Sequence, residues 1–437
     1  MTNARSIALE TLIKVLNNNS YSNIALNNAL QKSDLNTADK ALVTKIVYGT
    51  IQYKLYLEYQ LKPLIKTKLK DKFIKPLLLM SAYQYFFLEK VPTNAIFDEA
   101  NKLAKQFSKK NSGSFRLVNG ILRAMDRRGE ILPSAKDKVK YLSIKYSYPK
   151  WLVKYLINLF GEKTGQEILS SGNQALPVSI RITANSNLRE VEDDLTKDKF
   201  EYHLTPLTNH NLFVNPGQVT NTQLFKEGKI TIQDSAASLA VDAFDFKGDE
   251  QVLDACAAPG GKTVQIAEHL TSGEVTALDI HENKLNLIQN AAKRLKVSEK
   301  VKTKTCDARK AGEYSSQRQF AKILVDAPCS GLGLIRRKPE IRYDKSMADI
   351  EKLSKIQLDI LNSVACLLQE DGELVYSTCT ITKQEDEDVV EKFLQLHPDF
   401  ELAPIQVGNL KQEKMVKILP NQYDSDGFFI AKFIKRG

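Results

Sequence analysis

The chain is short of several residue types. Its 437 residues include five cysteines, five histidines and one tryptophan. The cysteines (Cys256, Cys306, Cys329, Cys366 and Cys379) are odd in number and contain no Cys-x-x-Cys pair. A disulfide framework and a cysteine-based zinc site are therefore not expected, and no metal is. No run of 18 or more apolar residues occurs, so no membrane-spanning helix is expected. The opening Met1-Thr-Asn-Ala-Arg5 is not a signal peptide. The expectation is a cytoplasmic monomer with reduced thiols and no membrane partner.

What is present is an uneven distribution of charge. The net charge is +10, yet residues 1–150 hold 26 Lys and Arg against 11 Asp and Glu, and the remainder holds 36 against 41. Such asymmetry suits a basic module gripping a polyanion, joined to a near-neutral module with another task. Residues 1–145 have helical periodicity, with Ile7, Leu9, Leu12, Ile13 and Leu16 at three- and four-residue spacing. Val91-Pro92 breaks the pattern, and Asn94 is expected to cap the helix that follows. Lys109, Lys110, Arg116, Arg123, Arg127 and Arg128 gather around Phe115, where basic side chains can neutralise phosphates.

Residues 146–228 mix strand-like stretches (Val178–Thr183, Phe200–Leu204, Leu212–Val214) with an acidic helix from Leu188, and predict a small βαβ-like α+β region. From 229 to 437 strands alternate with helices, which predicts a parallel, Rossmann-like sheet. The chain thus reads as a multidomain α and α/β protein: an all-α bundle, a small α+β middle region and a C-terminal Rossmann-like fold. A late apolar stretch, Asp426–Phe433, suits an antiparallel strand.

Two strands of the last region end in cysteine. Ile323-Leu-Val-Asp-Ala-Pro-Cys329 carries Asp326 and Cys329 to a strand tip, and Glu373-Leu-Val-Tyr-Ser-Thr-Cys379 carries Cys379 to another. Tips of parallel strands are where open α/β sheets bind ligands. The first strand, Gln251–Asp254, runs into Cys256-Ala257-Ala258-Pro259-Gly260-Gly261-Lys262, a Gly-containing turn through which backbone can approach a ligand. Asp279 ends the next strand, where an acid can hold ribose hydroxyls, and Asp307 follows the third, within reach of an adenine amine. NAD would need G-x-G-x-x-G, which is missing. Gly261-Lys262-Thr263 matches the end of a P-loop, but Cys256 stands where its first glycine belongs. S-adenosylmethionine fits the pattern better than ATP.

Asp254-Ala-Cys-Ala-Ala-Pro-Gly-Gly-Lys-Thr263, Asp326-Ala-Pro-Cys-Ser330 and Ser377-Thr-Cys379 together resemble the RsmB (Fmu/Sun) branch of RNA cytosine-C5 methyltransferases. Residues 4–128, with Phe115-Arg-Leu-Val-Asn-Gly-Ile-Leu-Arg123, are similar to the NusB-type RNA-binding domain joined to those enzymes, and Gly228–Ser238 to the segment leading into their catalytic core. The resemblance implies S-adenosylmethionine contacts from Cys256 to Lys262 and at Asp279, Asp307 and Asp326. It also implies a small-subunit ribosomal RNA substrate, with cytosine 967 as the target. One departure is Arg181-Ile-Thr183, where the family often has Arg-x-Asn.

A cysteine thiolate adding to C6 of cytosine makes C5 nucleophilic, and Asp326 near N3 would steady the charge that develops. The residues alone do not choose between Cys329 and Cys379. The resemblance implies attack by Cys379 and release assisted by Cys329. Arg336-Arg-Lys338 could hold phosphates flanking the target. Two other functions remain open from the residues: an RNA-binding assembly factor with an inert methyltransferase domain, and a P-loop NTPase acting on RNA.

Overall fold

A computed structural model describes residues 3–18, 22–109, 113–215, 219–314, 319–411 and 413–437. The chain forms two compact units, Met1–Asn173 with Lys338–Asp344, and Gln174–Arg337 with Lys345–Gly437.

The first unit is helical. Leu9, Leu12, Val43, Ile46 and Val47 are fully buried in one core, as their spacing on two helices requires. The Ile74–Phe87 helix is apolar on nearly every side and is buried accordingly. The next helix, Thr93–Phe107, begins directly after Pro92, whose extended backbone sets the start. Asn94 is therefore inside the first turn and is not the cap. Further helices continue to Ser171, with Lys150–Phe160 and Glu162–Ser171 following Tyr146.

Residues 338–344 pack within this helical unit although they follow the Pro-Cys turn in sequence. Arg342 is 0% exposed. Its guanidinium donates to the Gly172 carbonyl and to Asn173 Oδ1, each at 2.9 Å, and lies 4.1 Å from the Tyr148 ring centroid. Glu340 accepts from Ser22 Oγ at 2.6 Å, and the Tyr343 hydroxyl donates to the Gln52 carbonyl at 2.8 Å.

The second unit holds two sheets among the described residues. β1 (Val178–Ile182), β2 (Tyr202–Leu204), β3 (Asn211–Val214) and β4 (Ile230–Ile232) form the smaller, in the order β2-β3-β1-β4. Every hydrogen-bonded pairing in it is antiparallel. The Leu188–Lys197 helix links β1 to β2, which are both antiparallel to the intervening β3 and so run parallel to each other, a βαβ-like crossover with one strand inserted.

The larger sheet comprises β5 (Gln251–Asp254), β6 (Glu274–Asp279), β7 (Val301–Thr305), β8 (Phe320–Asp326), β9 (Leu368–Thr378), β10 (Phe400–Leu402), β11 (Met415–Ile418) and β12 (Phe428–Lys435). Its order is β10-β12-β9-β8-β5-β6-β7, with β11 on β12. The pairings from β9 to β7 are parallel, and β12 is antiparallel to β9, as expected of the late strand. Val252, Val275, Leu324 and Val375 pack into one apolar layer, while Leu253, Ile323, Val325 and Leu374 pack into another. Aliphatic residues cover both faces, the pattern of a sheet sandwiched by helices. The order in which strands are added reverses about β5, which puts a switch point at the tips of β5 and β8. No helix of the described residues is long and apolar enough to cross a membrane.

Candidate active site

β8 and β9 run side by side in parallel, and their register pairs Asp326 with Ser377. Each strand therefore releases its chain at the same level. The Ala327 N–H donates to the Ser377 carbonyl at 2.9 Å, so the Pro-Cys turn starts against the end of β9. Gly331 has φ +72°, which reverses the chain. The Gly333 N–H then donates to the Cys379 carbonyl at 3.0 Å. Between these two anchors the half-buried sulfurs of Cys329 and Cys379 stand 3.2 Å apart.

Their surroundings differ. The hydrogen bond with Cys379, burial and the charge of Glu385 push the Cys329 thiol well above its ordinary pKa. On the other side is Lys262, whose ammonium reaches Asp326 Oδ2 at 2.8 Å. Burial opposes that charge, but Asp326, then Cys379 and Asp254, outweigh it and hold the Lys262 pKa above its usual value. Asp326 Oδ1 accepts from Ser377 Oγ at 2.8 Å, so both carboxylate oxygens have partners.

The Gly-containing turn leaves β5 in the same place. Gly260 has φ +106°, and a Cβ there would lie 2.9 Å from the Ile288 Cα, so this position requires glycine. A Cβ on Gly261, the first residue of the Gly261–His269 helix, would meet nothing within 4 Å. Burial and the charges of Asp254, Asp326, Asp279 and Asp307 all raise the Cys256 pKa, which places four carboxylates around this turn. Asp279 is half-buried, with one oxygen accepting from the His281 N–H at 2.8 Å. Asp307 caps the short turn after β7, and its oxygens hold the Arg309 guanidinium, the shortest contact being 2.6 Å. Buried Asp254 accepts from Thr263 Oγ1 at 2.6 Å.

A family description for the 16S rRNA methyltransferase RsmB/F matches residues 241–434, and one for the NusB family matches residues 2–127. The chain is 40% identical to the probable ribosomal RNA small subunit methyltransferase B of Bacillus subtilis, with 100% of this chain and 99% of that protein covered. The chain belongs to the RsmB/F family of 16S rRNA methyltransferases. It is also 32% identical to the ribosomal RNA small subunit methyltransferase B of Serratia proteamaculans, over 99% of each chain. The crystal structure of PH0851 superposes with a TM-score of 0.84 at 27% identity, covering 100% of this chain and 99% of that one. A methyltransferase homolog protein from Pyrococcus horikoshii superposes at 0.59 with 28% identity, over 68% of this chain and 99% of its own.

Against this RsmB/F frame, two basic expectations need correction. The Arg336 side chain is 3% exposed and donates to the carbonyls of Gln174, Ala175 and Pro420. Arg337 bridges Asp234 and Asp426, each at 2.7 Å. Both guanidiniums are consumed within the fold, which leaves Lys338 as the exposed member of the trio. In the helical unit Lys109, Arg116, Arg123 and Arg127 are exposed, and Lys105 and Arg116 lie over the Phe115 ring. Arg128 instead donates to the Gln60 carbonyl at 2.7 Å, and Lys110 lies outside the described residues. Arg181, at the departure from the family pattern, is buried in an ion pair with Glu268 at 2.6 Å.

The sequence reading missed several residues that line this site. Ser377, Thr263 and Asp254 sit inside motifs already singled out, and adjacency to them was the available signal. Gln357 and Glu385 lie outside those motifs, and no local pattern marks them.

Proposed function

We propose that this chain transfers a methyl group from S-adenosylmethionine to C5 of a cytosine in small-subunit ribosomal RNA. In this reading Cys379 Sγ forms a covalent bond to C6, and Cys329 assists release. The observation that carries it is the 3.2 Å approach of the two sulfurs beside the Lys262–Asp326 pair. An RNA-binding factor with an inert domain has no use for that assembly. A P-loop would need Lys262 for phosphates, whereas here its ammonium is matched to Asp326.

The turn suits S-adenosylmethionine. A cationic sulfonium is favoured among four carboxylates. Gly261 leaves room for a ligand at a helix N-terminus, with the backbone from Cys256 to Lys262 lining the approach. Asp279 would accept from ribose hydroxyls and Asp307 from the adenine amine, with Arg309 yielding part of its contact. When bound, the cofactor supplies an electrophilic methyl group.

The protein's own groups account for the rest of the chemistry. Cys379 faces the Lys262 ammonium, while the bond to Cys379, burial and the Glu385 charge favour the protonated form of Cys329. Attack at C6 pushes electron density toward N3. A bare carboxylate would oppose that charge, so the useful donor is the Lys262–Asp326 pair acting together. Loss of the C5 proton to a base then expels the Cys379 thiolate, restoring the aromatic ring. The base must leave its stack for both faces to be reached, which implies an unpaired or opened target.

The regions 1–145, 146–228 and 229–437 would serve respectively to grip RNA, to contact it near the target and to catalyse. Affinity from the exposed basic face should fall as salt rises. The decisive test uses small-subunit RNA on denaturing gels. Cys329→Ala should accumulate a covalent protein–RNA adduct and Cys379→Ala should form none. The opposite pattern would reverse the two roles, and no methylated cytosine with the unaltered protein would overturn the function. Mapping 5-methylcytosine in ribosomal RNA with and without the protein identifies the target.

A further inference from the structure

Six residues beyond Cys379, the Glu385 side chain turns into the protein and is 0% exposed. Its carboxylate is the meeting point of donors from three segments. Ser330, directly after Cys329, gives its backbone N–H at 2.7 Å and its hydroxyl at 2.6 Å. Thr380, directly after Cys379, donates at 3.3 Å, and Thr382 at 2.7 Å. Gln357, on the Met347–Ala365 helix, donates to Glu385 at 3.2 Å and to the Pro328 carbonyl at 3.0 Å. The Ser330 and Thr380 hydroxyls stand 2.8 Å apart, so the Thr380 proton is shared between Ser330 Oγ and the carboxylate. Tyr376, the buried β9 residue three before Cys379, donates its hydroxyl to the Glu385 carbonyl at 2.5 Å.

Two cysteine turns from strands 50 residues apart thus share one hub, and its spokes attach at the residue after each cysteine. An ionised carboxylate has about four lone-pair sites and no proton, so it alone among side chains of this size can accept from so many donors. We infer that Glu385 is a positioning residue for methyl transfer: its carboxylate locks the Cys329 and Cys379 turns together so that both sulfurs meet one base. This rests on the two-cysteine reading above. The same buried charge also bears on the Cys329 thiol and favours its protonated form. Among the described residues Glu385 makes no hydrogen bond to either cysteine's sulfur, so it acts through the turns.

The test is Glu385→Gln, which keeps the volume but turns one acceptor into a donor aimed at other donors. A displacement of about 1 Å at a reacting centre lowers turnover roughly 100-fold. The expected result is a kcat loss of that order with an unchanged KM for RNA. Alkylation of Cys329 by iodoacetamide, followed against pH by peptide mass spectrometry, should move to lower pH. Wild-type turnover together with an unmoved alkylation profile would overturn the inference. If Glu385→Gln does not fold, Ser330→Ala combined with Thr380→Val removes two spokes and leaves the hub. That double variant should lose turnover while binding S-adenosylmethionine as before, and full activity would again overturn the inference. The alkylation profile needs no methyl transfer. Failure of the parent reading, seen as no adduct with Cys329→Ala, is therefore distinguishable from failure of this one.

Discussion

Replacing Gly333 with alanine would drive a methyl group into the floor of the cysteine pair. The new Cβ would lie 2.0 Å from the Gly427 carbonyl oxygen, 2.6 Å from its carbon and 2.8 Å from the Cys379 carbonyl oxygen. All three are backbone atoms, so no side chain can swing aside. Relief requires the turn to move about 1 Å, and overpacking of that kind costs about 1–3 kcal/mol. The movement also strains the Gly333 N–H to Cys379 carbonyl bond and the Gly427 N–H to Gly333 carbonyl bond, both 3.0 Å long. Adding a loss of about 0.5–1.5 kcal/mol for each bond gives about 2–6 kcal/mol in all. At about 2–4 °C per kcal/mol for a unit of this size, Tm should fall by about 4–24 °C. The sulfurs separate by a similar displacement, so kcat should drop roughly 100-fold. Binding of S-adenosylmethionine, at the turn after β5, should persist. Scanning calorimetry and single-turnover methyl transfer read the two effects. Unchanged Tm with unchanged turnover would show that the two turns are not locked at Gly333, and the geometric reasoning would fail.

Arg342→Ala should destabilise the helical unit by about 2–6 kcal/mol, because a buried acceptor that loses its donor costs about 1–3 kcal/mol and the Gly172 carbonyl and Asn173 Oδ1 each lose the guanidinium. Urea unfolding followed by helical circular dichroism checks this, and a shift under 1 kcal/mol would contradict it. For pH, burial and the neighbouring Asp326 raise the Asp254 pKa to about 7. A raised carboxyl pKa means that the folded state holds a proton the unfolded chain has released. Its contribution to stability is therefore complete below about pH 4 and is lost as pH rises through about 7. Asp254→Asn should gain on the wild type across that window and run parallel to it on either side. A difference between the two that does not vary with pH would refute the assignment.

Much of this protein was legible in the order of its residues. Strands with aliphatic runs ending in Asp254, Asp279 and Asp326, or directly before Cys379, declare themselves, because backbone preference and two-sided burial act over a few neighbours. The Gly260-Gly261 bend and the break at Pro92 are equally local. The cap expected at Asn94 failed on the same scale, since Pro92 decides where that helix starts. The basic excess of the first 150 residues needs no fold to be seen.

Partnership is another matter, because it depends on which distant segments the sheet brings together. In Glu385-Asp-Glu-Asp388 the sequence offers four similar acids, yet the first two are buried and the last two are half-exposed. Only the parallel docking of β8 on β9 makes Glu385 the hub of both cysteine turns. The same holds for Arg336 and Arg337, which composition suggests are free for phosphate but which fold onto carbonyls and carboxylates. Local sequence determined the elements and the chemistry each could carry. Tertiary structure decided which charges remain available, because a buried ion or hydrogen-bonding group must find its partner wherever the chain supplies one.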